Sequence, residues 1–113
     1  MRLDIRSMHL ALDNGALDHI RRRFEHGLDH FTHYILRVRI LLSDVNGPKG
    51  GVDKHCLVQL QLRCAPEIVI MEEGVELFSV INRAAGRLAV AVSRAVGRAR
   101  HRRWQEYHRR QLA

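Results

Sequence analysis

The sequence predicts an α+β domain with the element order β-α-β-β-β-α, in which a four-stranded mixed sheet carries two helices packed on one face. Three observations lead there. Apolar and polar residues alternate in four separate stretches, apolar residues recur every three or four positions in two longer ones, and dense turn-forming clusters separate them. The length of 113 residues fits one domain with a single core.

Residues 1–6 alternate, with Leu3 and Ile5 on one side and Arg2, Asp4 and Arg6 on the other, as in a strand buried on one face. Asp13 and Asn14 can each cap the helix that follows, where Leu17, Ile20, Phe24, Leu28 and Phe31 form an apolar stripe over residues 16–30. Arg21, Arg22, Arg23, Glu25 and His26 make its outer face, with Arg21 and Glu25 spaced for an i,i+4 pair. Residues 34–43 alternate again, placing Leu36, Val38, Ile40 and Leu42 inward and Ile35, Arg37, Arg39 and Leu41 outward. The turn-forming run Asp44-Val45-Asn46-Gly47-Pro48-Lys49-Gly50-Gly51 then predicts a long hairpin loop. Over residues 54–64, Cys56, Val58, Leu60 and Leu62 point inward and Leu57, Gln59, Gln61 and Arg63 outward. Ala65-Pro66 ends that strand, and residues 67–72 supply a short fourth one. A strand–helix–strand crossover makes the first two strands parallel if they are neighbours, and the rest form an antiparallel meander.

The last helix carries the excess charge. Residues 83–110 contain nine arginines and one acid, Glu106, whereas residues 1–82 contain ten basic and eleven acidic side chains. At about 100° per residue, Leu77, Ile81, Ala84, Leu88, Val92, Ala95 and Ala99 share one side, while Arg83, Arg87, Arg94 and Arg98 gather in a flank stripe about 60° wide. The stripe runs into Arg100, Arg102, Arg103, Arg109 and Arg110. A solvated helix face mixes both signs, so this pattern points to an anionic polymer. Seventeen arginines against two lysines favour paired contacts with phosphate oxygens. Gly86 and Gly97 lie beside the stripe, where a missing side chain would let a phosphate backbone approach.

Other classes fit poorly. No run of about 18 apolar residues could span a membrane, and the polar N-terminus is unlike a signal peptide, so a cytoplasmic location is expected. If Cys56 and Cys64 share a strand they lie about 26 Å apart and cannot bond, which fits a reducing compartment. His26, His30 and His33 lack the cysteine or carboxylate spacing of a recognised metal site. The glycine-rich loop joins two strands, so it is no nucleotide cradle, and no catalytic constellation stands out. Neither an enzyme, a cofactor, a small-molecule substrate nor a membrane partner is expected.

The Asp44–Gly51 loop with the Val52-Asp53-Lys54 that follows it, the element order and the helix start Glu76-Leu77-Phe78-Ser79-Val80-Ile81-Asn82-Arg83-Ala84-Ala85 resemble the bacterial ribosome hibernation-promoting factors, or ribosome-associated translation inhibitors. The resemblance runs from residue 1 to about 98 and is to a short form. It implies a dsRBD-like arrangement and binding to rRNA of the small ribosomal subunit near the mRNA and tRNA channel, silencing translation sterically. The family's basic contacts map onto Arg83 and Arg87, then Arg94 and Arg98. The expected RNA-binding set is completed by Arg22, Lys49, Lys54, Arg100, Arg102 and Arg103. This sequence departs from the family at Ala89-Val90-Ala91-Val92-Ser93, where members carry a Lys/Arg cluster. Residues 1–103 would form the ribosome-binding domain, monomeric or weakly dimeric, and 104–113 a basic tail. There Trp104 and Tyr107 could stack on unpaired bases, or the tail could fray. Two alternatives stay open: a protein-interaction module that uses the exposed sheet face, which carries Arg37, Arg39 and Gln59, and a generic double-stranded RNA binder.

Overall fold

The structure, a computed structural model, describes residues 2–44 and 53–112. In chain order the elements are β1 (Arg2–Met8), α1 (Asn14–Leu28), a 3-10 helix (Asp29–Tyr34), β2 (Ile35–Asp44), β3 (Lys54–Leu62), β4 (Ile68–Gly74) and α2 (Leu77–Leu112). The strands lie side by side in sequence order, β1 parallel to β2 and the other pairs antiparallel. This is the α+β architecture that the alternation and helical periods predict. Lys49 and the glycine-rich hairpin loop lie outside the described residues.

Local chemistry sets the boundaries. Asp13 caps α1 through its carboxylate, which accepts the Ala16 N–H at 2.7 Å. α1 stops two residues before the periodicity does, because the chain tightens into the 3-10 helix, where the Thr32 hydroxyl donates to the Asp29 carbonyl at 2.6 Å. The expected Arg21–Glu25 pair does not form among the described residues; both side chains stand exposed.

Three strand expectations change. A register shift between Ile35 and Arg37 buries Ile35 and leaves Leu36 45% exposed, the reverse of simple alternation. β3 ends at Leu62, so Cys64 sits in the following turn, half-buried, while Cys56 is buried in the strand; both are free thiols. Burial pushes the Cys56 thiol up to about 12. β1 and β4 each run two residues further than the apolar pattern, carried by backbone pairing as far as Met8 with Ser43 and Lys54 with Gly74.

One core joins the sheet to the helices. Val38, Ile40, Leu42, Val58 and Leu60 meet Ile20, Phe24 and Leu28 of α1 and Ile81, Leu88 and Val92 of α2. The helices run parallel: His19 packs edge-on to Phe78 at 4.7 Å, and the guanidinium of Arg23 reaches forward to the Asn82 carbonyl at 3.4 Å. Arg23, expected on the outer face, is therefore half-buried between helices. A Cβ at Gly86 would sit 3.7 Å from the Arg23 guanidinium, so the side chain near this glycine is Arg23, whereas the space beside Gly97 is open.

Candidate nucleic-acid interface

α2 begins at a carboxylate. Glu76 accepts the backbone N–H groups of Phe78 at 3.0 Å and Ser79 at 2.7 Å and the Ser79 hydroxyl at 2.8 Å. These bonds hold its pKa below the usual glutamate value. A group whose pKa is depressed on folding stabilises above its unfolded pKa and loses that contribution as pH falls through the folded value. Glu76→Ala will therefore melt below wild type at pH 7, and thermal unfolding at descending pH will show the two curves converging as the carboxylate protonates.

The arginine stripe divides into two parts. Arg83 donates to the Glu73 carbonyl at 2.8 Å and pairs with the Glu72 carboxylate at 3.4 Å; Arg87 donates to the Met71 carbonyl at 2.9 Å and pairs with Glu72 at 3.0 Å. Both remain about half exposed while clasping β4. The close fit depends on Gly74, since a Cβ there would come within 2.8 Å of the Arg83 guanidinium and 2.9 Å of Val80. Arg94 and Arg98 are exposed and, among the described residues, have no acid within ion-pairing distance.

Burial along α2 ends at Val96, yet the helix continues to Leu112 without a break at residue 103. Residues 101–112 are all exposed, about 18 Å of projecting helix at 1.5 Å per residue. On this arm Arg102, Arg103, Glu106 and Arg110 continue the face that Leu88, Val92 and Ala95 bury, by the same 100° projection. That face changes from apolar to charged, three arginines to one glutamate, past the last buried residue, Val96. Arg100 lies over the Tyr34 ring at 5.9 Å. Trp104, expected to stack on bases, already has imidazoles beside it: His101 is stacked at 6.2 Å and His108 tilted at 3.9 Å. Tyr107 is 60% exposed.

The remaining predicted contacts lie elsewhere. Arg22 is exposed on α1 beside His19 and His26. The Lys54 ammonium is held between Asp44 at 3.0 Å and Asp53 at 3.2 Å, and its pKa is raised chiefly by the Asp44 hydrogen bond. Two partners were not legible in the sequence: Glu72, whose role depends on β4 lying beside α2, and Arg63, whose backbone N–H bonds the Tyr34 carbonyl at 2.9 Å while its side chain reaches the His33 carbonyl at 3.2 Å. Among the described residues no three metal-binding side chains come together, and no helix is long and apolar enough to cross a membrane.

No family model and no curated protein matches the sequence. Solved structures do. The N-terminal domain of Thermus thermophilus Protein Y superposes with a TM-score of 0.69 at 22% identity, covering 83% of this chain and 98% of that one. A ribosomal subunit interface protein from Coxiella burnetii superposes with a TM-score of 0.68 at 11% identity, covering 83% and 96%. The chain therefore has the fold of the Protein Y N-terminal domain and of that ribosomal subunit interface protein, which is the fold its loop and helix-start motifs imply.

Proposed function

We propose that this chain is a short ribosome hibernation factor that binds the small ribosomal subunit and silences translation by occupying space that mRNA or tRNA requires. The observation that carries this reading is α2 itself, a continuous helix on which Arg94, Arg98, Arg100, Arg102 and Arg103 are, among the described residues, in no ion pair. Guanidinium groups at fixed positions suit phosphate oxygens, and RNA helices are recognised chiefly by shape and backbone. The shared fold and the motif resemblance support the choice of a ribosomal RNA over a generic duplex. Arg94 and Arg98 would make the lateral contacts, and Arg83 and Arg87 would contribute from their places against β4.

A second reading has one observation in its favour. The outer sheet face leaves Val69 50% and Met71 68% exposed beside Leu57, a surface for a protein partner. Sedimentation separates the two. Purified protein will pellet with small subunits and not with large ones. Its affinity will fall with salt at roughly 0.7–0.9 per phosphate contact on a log–log plot. Indifference to subunit or to salt would move the search to the sheet face.

A further inference from the structure

Beneath the arm of α2, where the sheet ends, lies a cleft of about 380 Å³ whose walls include Tyr34, Arg63, Cys64, Arg102, Arg103 and Glu106. The floor is tied together by the Arg63 bonds to His33 and Tyr34, and the roof is a continuous helix, so the cleft is preformed. Arg100 also borders it. Four guanidinium groups thus surround one carboxylate. Among the described residues none of the four is in an ion pair, and the Arg63 side chain bonds only a backbone carbonyl. On the other side of Arg102 a smaller hollow of about 180 Å³ opens beside Arg98 and Pro66.

We propose that this cleft is a second RNA site, one that takes a single RNA strand by its phosphates, separate from the lateral stripe of α2. The proposal rests on the RNA reading above and adds where an unpaired strand would run. A concave site with four guanidinium groups to one carboxylate carries a net positive field that favours a polyanion. The volume matches a small-ligand pocket and so admits about one nucleotide at a time rather than a duplex. Arg102, placed between the two hollows, can hold the phosphate that joins consecutive nucleotides. Tyr34 with Arg100 over its ring supplies the aromatic and guanidinium surface on which single-stranded bases stack.

Cys64 makes the cleft measurable. It is half-buried in the cleft wall, while the Cys56 thiol is buried in the core and held protonated, so iodoacetamide uptake followed by intact mass reads Cys64 alone. An unstructured twelve-residue oligouridylate, and small subunits in a parallel arm, will slow Cys64 alkylation at least tenfold at low salt. Arg102→Gln/Arg103→Gln, exposed changes on the arm that leave the core untouched, will abolish the protection, as will Arg63→Gln. Unslowed alkylation of protein that still pellets with small subunits would overturn the cleft and leave the ribosome reading intact. Absence of pelleting altogether would remove both. Equal protection by polyglutamate at matched charge would overturn RNA as the occupant in favour of an acidic protein segment.

Discussion

Arg94→Glu/Arg98→Glu will release the protein from small subunits under conditions where wild type pellets fully, without altering its melting temperature. Both side chains are exposed and, among the described residues, neither is in an ion pair, so the fold loses nothing when their charge is reversed. Binding loses two phosphate contacts and gains two repulsions. Each contact contributes on the order of tenfold in affinity near 0.1 M salt, so the variant should bind roughly a hundredfold more weakly or worse, with a salt slope lower by roughly 1.4–1.8. The corresponding change at Arg83 and Arg87 is less clean, because it places two new carboxylates beside Glu72 and breaks the clasp on β4. Co-sedimentation of the Arg94/Arg98 variant at wild-type levels would contradict the placement of the interface on α2.

Phe24→Ala will have the largest effect on stability. Phe24 is 1% exposed and is among the largest fully buried side chains, seated in the core that α1 shares with the sheet and α2. Truncating a buried phenylalanine costs about 3–5 kcal/mol, transfer and cavity together. Set against the roughly 5–15 kcal/mol that holds a domain folded, that loss brings the protein near its unfolding threshold at physiological temperature. Urea titration should show a lower midpoint with an unchanged slope. A midpoint within error of wild type would mean that the α1 face is not part of the cooperative core.

The element order was legible because each segment carries its own period and its own stops, and the parallel pairing of β1 with β2 follows from the handedness of crossovers. What escaped depended on distant residues. Ile35 and Leu36 are adjacent and both apolar, so only the exit from the 3-10 helix decides which is buried. The length of α2 past Val96 has no apolar stripe to announce it; backbone bonding continues while the face that was apolar becomes charged. At the site, the sequence marked the arginines of α2 but could not sort them. Arg83 and Arg87 are claimed by Glu72, Lys54 by Asp44 and Asp53, and the cleft draws on the 3-10 helix, the turn after β3 and α2, which meet only in the folded chain.

The clasp of Arg83 and Arg87 on β4 also covers part of an open edge of the sheet. β4 is one of the sheet's two edge strands, and the carbonyls of Met71 and Glu73, two residues apart, each accept from one of the two guanidinium groups. An uncovered strand edge invites a strand from another molecule to add to it. Here two of the acceptors such a strand could use are already occupied, next to an exposed Val69 and Met71. The same pair of arginines thus caps part of an open sheet edge.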